Sequence, residues 1–304
     1  MMKDDYHIPV LAKECIEGLS LKEGGVYCDL TFGGGGHSSL ILKAMPDSAR
    51  LFSFDQDKDA AENVLDDKRF QFVPQNFRFL KRSLRLFGVS KVDGILADLG
   101  VSSFQFDEAS RGFSIRGEGP LDMRMNQAQE MTAKKLIEER TAEELAIVFF
   151  KYSDLKNARK VAEKIKTNAA SLNTTNDLVE LLSGMVVPNK RNQFLARVFQ
   201  ALRIEVNDEM AALEEMLVQV KEVLNPGGRL VVMSYHSMED RLVKNFMRSG
   251  NFQGKIEKDF YGQHLVDFKV ITRKPVVPEE EEQERNSRSR SAKLRIAERI
   301  EHGG

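Results

Sequence analysis

Cysteine is scarce: the 304 residues hold only Cys15 and Cys28, too few for a disulfide framework or a cysteine-rich metal site. Both read as small buried apolar residues. No second histidine stands near His37 at ligand spacing, so no metal is expected. Long apolar runs are missing too; nothing approaches the roughly 20 residues of a membrane span. The opening Met1-Met-Lys-Asp-Asp-Tyr6 lacks the apolar stretch of a secretory signal. The expectation is therefore a cytoplasmic protein with no membrane partner. An excess of charge of one sign is also lacking, with 45 Lys and Arg against 46 Asp and Glu. That balance excludes a uniformly basic surface, so any contact with nucleic acid has to come from local patches. There is no internal repeat.

What is present is ordinary globular material, 41% hydrophobic and 30% charged, in a chain longer than the usual single domain. Gly25-Val-Tyr-Cys-Asp-Leu-Thr-Phe32 is an apolar run ending in Gly33 to Gly36, and His37 to Met45 has helical spacing. The order is strand, tight loop, helix. Arg50 to Phe54 reads as a second strand leading to Asp55, Phe70 to Val73 as a third, and Val92 to Ala97 as a fourth leading to Asp98. Strands alternating with helices at this spacing predict a doubly wound parallel α/β sheet.

From about Asp107 the pattern changes to ordered loop and then helices alone. Thr141-Ala-Glu-Glu144 is a capping box, Asn173 to Asp177 opens another helix, and Asn192 to Arg203 reads as a third. After a helix from Asp208 to Leu224, Asn225-Pro-Gly-Gly228 leads into the strand Arg229 to Ser234. A helix from Met238 to Met247 and strands near Lys255 to Asp259 and Asp267 to Thr272 would complete the sheet. The predicted organisation is a discontinuous α/β core, 1–107 and 207–304, split by an all-helical substrate-recognition insertion, 108–206. The chain ends in an acidic block, Pro278 to Glu284, followed by the basic Arg285 to Arg299.

A glycine loop between a first strand and its helix lets backbone approach a ligand closely, at the carboxyl edge where parallel sheets bind ligands. Gly33, Gly35 and Gly36 resemble the start of G-x-G-x-x-G, but Ser38 occupies the third position, which weakens a dinucleotide reading. Asp55, about 20 residues on, suits a carboxylate accepting from both ribose hydroxyls, a role equally useful for NAD and S-adenosylmethionine. Asp98 after strand four and Leu224 to Leu230 before strand five favour the class I methyltransferase layout. The residues leave open whether Phe77 packs beside an adenine or in the core, and whether His37 lines the cofactor or only starts its helix.

The chain resembles the bacterial small-subunit ribosomal RNA cytosine-N4 methyltransferases, the RsmH (formerly MraW) family, nearly end to end. The resemblance is carried by His7 with Val10-Leu11, Asp29 to His37, Asp98-Leu-Gly-Val-Ser-Ser103, Arg111-Gly-Phe-Ser114 and Gly119-Pro-Leu-Asp-Met-Arg-Met125. Phe199-Gln-Ala-Leu-Arg-Ile204, Ser234-Tyr-His-Ser-Met-Glu-Asp-Arg241 and Arg288 to Arg295 extend it. It departs at Asn192-Gln-Phe-Leu-Ala-Arg197, in place of the usual His-Pro-Ala-Thr-Arg approach, and in a short segment after Met247. What the resemblance implies is a class I, Rossmann-like fold and methylation of a cytidine in the decoding region of 16S rRNA, within the small ribosomal subunit or a late precursor. It also implies S-adenosylmethionine contacts at Gly35, Gly36, His37, Asp55, Phe77, Asp98 and Gln105.

On the acceptor side the candidates are Asp98, Asp122, Arg124 and His236, with Arg241. Asp98 would accept an amine N–H or touch only the cofactor's amino group; the sequence does not separate the two. Asp122, Arg124, His236 and Arg241 are assigned to base orientation and phosphate contact, against the blander readings of a loop-bracing pair and a histidine that satisfies a buried carbonyl. The basic tail and Lys151, Lys156, Arg159, Lys160 and Lys164 would suit RNA phosphates, although charge runs are usually solvated faces. Rival readings are a nicotinamide oxidoreductase, a non-catalytic ribosome-assembly factor, and a methyltransferase acting on DNA or protein. Oligomeric state stays open, a dimer being one reading.

Overall fold

The structure, a computed structural model, describes residues 9–301, so the polar opening Met1–Tyr6 and His7 lie outside the described residues. In chain order the first unit begins with α1 (Ala12–Leu19), β1 (Val26–Asp29), α2 (Gly36–Ala44), β2 (Arg50–Phe54), β3 (Phe70–Val73), α3 (Leu80–Leu86) and β4 (Val92–Asp98). Helices follow without strands: α4 (Ser103–Asp107), α5 (Ala133–Glu139), α6 (Ala142–Ser153), α7 (Ala158–Thr167), α8 (Thr175–Ser183) and α9 (Arg191–Asn207). The chain then runs through α10 (Glu209–Val223), β5 (Leu224–Ser234), α11 (Ser237–Ser249), β6 (Glu257–Lys258), β7 (His264–Leu265), β8 (Phe268–Val270), α12 (Glu280–Arg285) and β9 (Lys293–Arg299). Two compact units result, one up to Gly100 and from Ala211 onward, the other Val101–Met210.

The first unit is a seven-stranded sheet ordered β3-β2-β1-β4-β5-β9-β8. The first five strands are parallel, and β9 runs antiparallel to both β5 and β8. This is the doubly wound, Rossmann-like class, with the strand order reversing about β1 and β4. Side chains alternate across it as the two-residue period requires. Ile95, Ala97, Leu230 and Val232 enter one core cluster, with Leu213, Leu217 and Phe246 from α10 and α11. Leu96, Val231 and Met233 enter the other, with Leu19 and Ile41 from α1 and α2. Both faces are covered, which explains why these strands read as continuous apolar runs. Cys15 and Cys28 are fully buried on opposite faces.

Two expectations at the chain's end are corrected. The segment near Lys255 does not join the main sheet: β6 pairs only with β7, in a separate two-stranded sheet. The last main-sheet strand is instead β9, inside the stretch read as a basic tail for RNA. Leu294, Ile296 and Ala297 are buried, while Arg295 is only 7% exposed and reaches Asp240 at 2.6 Å. Arg299 pairs with Asp267 at 3.3 Å and Lys293 with Asp240 at 3.7 Å. These charges are spent within the fold, and only Arg285, Arg288 and Arg290 of the block stay exposed. The acidic block has a local use as well: Glu282 accepts the Leu11 backbone N–H at 2.8 Å, just before α1.

In the second unit the sequence signals map onto caps. Thr141 and Thr174 cap α6 and α8 in reciprocal capping boxes with Glu144 and Asp177. α9 is longer than the sequence spacing indicated, and Asn207 near its end is buried, accepting from Met125 N and donating to Met123 O, both at 2.7 Å.

Candidate active site

β1 delivers Asp29 to the carboxyl edge of the sheet, and the loop to α2 turns there on glycines. Gly33 and Gly35 have φ of 51° and 77°, the left-handed region that a side chain resists. A Cβ on Gly35 would also stand 3.1 Å from the Phe32 ring. The loop is tied to the end of β2: Gly33 N–H donates to Asp55 Oδ2 and Asp57 N–H to Asp55 Oδ1, each at 2.8 Å. Ser38, in place of a third glycine, is fully buried; it donates to Asp29 Oδ2 at 2.6 Å and lies 2.7 Å from Ser53 Oγ. A glycine there would strip Asp29 of a donor, so the departure from the dinucleotide fingerprint has a structural reason.

Asp98 ends β4. Its N–H donates to Thr31 Oγ1 at 2.7 Å, and its Oδ1 accepts the Tyr235 hydroxyl at 2.8 Å. Its Oδ2 stands 3.7 Å from Nδ1 of His37, a residue only 6% exposed. The other nitrogen of that ring, Nε2, lies 3.2 Å from the Val10 carbonyl. A carbonyl only accepts, so Nε2 carries the hydrogen and Nδ1 faces the carboxyl group.

Asp55, Asp29 and Asp98 thus occupy the ends of β2, β1 and β4, three neighbouring strands, and none forms an ion pair with Lys or Arg among the described residues. Burial pushes Asp98 up to about 6, with Asp29 and Glu239 adding to the rise and His37 and Tyr235 opposing it. Asp55 is also raised to about 6, again by burial first, against the pull of the Asp57 and Gly33 amides. A half-buried acidic edge beside a close-approach glycine loop suits a cationic ligand that carries hydroxyls. S-adenosylmethionine, with its cationic sulfonium and its ammonium and ribose donors, matches that row of acceptors. Among the described residues no group of three or more His, Cys, Asp and Glu could hold a metal ion.

The remaining candidates are distributed unevenly. Gly35, Gly36, His37, Asp55 and Asp98 share the first unit with Phe77, which starts a short helical turn after β3 and lies half-buried against the core. His236 belongs to that unit too, but its ring caps α11: Nδ1 accepts from Glu239 N–H at 3.4 Å while Glu239 Oε2 accepts the Tyr235 and His236 amides. Its Nε2 is buried 3.1 Å from Glu239 Oε1 without a well-aligned partner, and Arg241 is exposed. Gln105, Asp122 and Arg124 belong to the second unit. Gln105 is buried in a capping box, its Oε1 accepting from Ser102 N–H at 3.1 Å. Arg124 forks onto both Asp122 oxygens at 2.8 and 2.7 Å and donates to the Gln127 and Gln129 carbonyls at 3.0 and 2.7 Å. That pair braces a loop.

Tyr235, Thr31 and Ser38 contact the carboxyl edge and were missed in the sequence. For Tyr235 the signal was parity: it continues the alternation of Val231 and Met233 toward the face where α1 and α2 lie.

The sequence model of the MraW methylase family matches residues 4–300. A ribosomal RNA small subunit methyltransferase H from Parabacteroides distasonis is 53% identical over 298 residues, covering 97% of this chain and 98% of that protein. Proteins of the same name are 50% identical in Christiangramia forsetii, covering 99% and 100%, and in Flavobacterium johnsoniae, covering 97% and 98%.

Proposed function

The chain belongs to the MraW methylase family, and from that premise we propose that it methylates the exocyclic N4 of a cytidine in the decoding region of 16S rRNA, in the small subunit or a late precursor. The observation that carries this reading is the acidic, glycine-lined end of β2, β1 and β4 in a chain about half identical, along nearly its whole length, to small-subunit rRNA methyltransferases. The working compartment is the cytoplasm.

When bound, S-adenosylmethionine supplies an electrophilic methyl group on a sulfonium. The residues of the first unit that would hold it are the Gly33–Gly36 backbone, Asp55 at the ribose hydroxyls, Phe77 beside the adenine, and His37 and Asp98 toward the methionine end. Asp55 is suited to its part because each oxygen accepts one amide and keeps a lone pair for a hydroxyl. The acceptor nitrogen is a weak nucleophile, its lone pair delocalised into the ring, so alignment of nitrogen, methyl carbon and sulfur and stabilisation of growing positive charge dominate the barrier. Asp98 accepts the amine N–H and favours the reactive lone-pair geometry. A paired base has to be unstacked first, at a cost of a few kcal/mol, which RNA contacts offset.

The helical unit serves substrate recognition in this reading. Lys151, Lys156, Arg159 and Lys160 are exposed on and between α6 and α7, with Lys164 half-buried, and supply phosphate contacts. Asp122 and Arg124 act by holding the loop that presents the base, and His236 acts through the start of α11.

The test is transfer of radiolabelled methyl from S-adenosylmethionine to small ribosomal subunits lacking the modification, with nucleoside analysis of the RNA, for wild type and Asp98→Ala. Labelled N4-methylcytidine with wild type, reduced at least about 10²-fold in the variant, supports the proposal. Label in another nucleoside, or none despite cofactor binding, overturns it.

A further inference from the structure

The two oxygens of Asp98 have different neighbours: Oδ1 accepts the Tyr235 hydroxyl at 2.8 Å, and Oδ2 faces His37 Nδ1 at 3.7 Å. Charged and titratable groups reach this carboxyl from every side: His37 on α2, Asp29 on β1, Glu239 on α11, Cys15 on α1, and Tyr235 after β5. Asp29 and Glu239 favour its neutral form, as burial does; Tyr235, and His37 when its ring is protonated, favour the carboxylate. Burial and the adjacent carboxylate hold the Tyr235 hydroxyl well above its ordinary value, so it stays a donor. Its ring is held in place as well, partly buried against the core cluster that β5 shares with α1 and α2.

We propose that Tyr235 is a positioning residue for methyl transfer, its hydroxyl fixing the orientation of the Asp98 side chain and holding it as a carboxylate. The inference rests on the reading of Asp98 as the acceptor-side acid. As the nitrogen–carbon bond forms and the carbon–sulfur bond breaks, sulfur keeps the bonding pair and the acceptor nitrogen sheds one proton. A carboxylate can receive that proton or draw on the N–H before it leaves; a protonated carboxyl is the poorer acceptor in either part. Tyr235 keeps the better form populated at neutral pH in a pocket where two acids and desolvation oppose it.

Tyr235→Phe keeps the ring and deletes the donor. In cofactor-free protein carrying carbon-13 at the aspartate carboxyls, with the Asp98 signal assigned by its loss in Asp98→Asn, the midpoint is expected to rise by about one pH unit. The acid limb of the methyl-transfer profile moves up equally, giving a loss of about tenfold at low pH that is regained near pH 9. In the Asp98→Asn background Tyr235→Phe costs little more, because its effect passes through the carboxylate. An unmoved carboxyl midpoint, an equal loss at every pH, or a full additional loss in Asp98→Asn overturns the proposal. The carboxyl titration needs neither cofactor nor RNA, so a wrong assignment of the acceptor nucleoside leaves that readout intact.

Discussion

Asp98, at the end of β4, and Asp122, in a loop of the second unit, are in opposite electrostatic circumstances. Asp98 shares the sheet edge with Asp29 and Asp55, has no Arg or Lys partner among the described residues, and is raised to about 6 by burial. Asp122 has both oxygens occupied by one guanidinium, which also ties down two carbonyls of the same loop. Uncompensated buried charge is unfavourable for the empty protein and becomes favourable only when a cation arrives, so it marks a binding edge. A saturated pair has little left to offer a ligand and marks a brace.

The largest expected effect comes from Asp98→Asn, which separates the two demands on that residue. Methyl transfer falls at least about 10²-fold while the cofactor-free protein becomes more stable. The sign follows from the raised value: the folded group titrates near 6, above the ordinary range near 3.9, so ionisation in the fold is unfavourable. That penalty, on the order of 2–3 kcal/mol, is complete above pH 6 and vanishes below about pH 4. Urea unfolding at pH 7.5 and pH 4 should show the variant's advantage at the first and not at the second. A variant that is less stable at pH 7.5 would make Asp98 a brace like Asp122.

Arg124→Ala should do the reverse. It strands the Asp122 carboxylate and frees the Gln127 and Gln129 carbonyls, and because the pair is partly exposed the expected cost is about 1–3 kcal/mol. S-adenosylmethionine affinity, measured calorimetrically below the melting range, should stay within about twofold. Unchanged stability with lost methylation would return Arg124 to direct contact with RNA.

The sheet edge was legible in the sequence where chemistry and periodicity coincide. Strands of buried apolar residues ending in Asp55 and Asp98 announce both the parallel sheet and its ligand edge. β9 was hidden because Lys293, Arg295 and Arg299 present as a solvated charge run, although Leu294, Ile296 and Ala297 lie between them. Which charges are spent inside the fold depends on partners such as Asp240 and Asp267, remote in sequence. The same blindness covers Asp122 and Arg124: residue type says they are polar, and only geometry says they satisfy each other.

Lys156, Arg159 and Lys160, exposed just before and at the start of α7, sharpen the contrast from the other side, since they form no ion pair among the described residues. Replacing Lys156, Arg159 and Lys160 together by Gln should weaken subunit binding about tenfold at moderate salt and flatten its salt dependence, with a change in stability under about 0.5 kcal/mol. An unaltered salt slope would make them a plain solvated face.

His236 gives the smallest effect and tests whether a polar residue in a functional motif has to act chemically. Its ring accepts the Glu239 amide at the start of α11, a task that asparagine also performs. His236→Ala should therefore cost about 1 kcal/mol in thermal unfolding, and His236→Asn a few tenths, with methyl transfer following stability in both. If His236→Asn keeps its melting temperature yet loses methylation tenfold or more, the imidazole acts on the acceptor. The buried Nε2, 3.1 Å from Glu239 but poorly aligned with it, would then be the atom responsible.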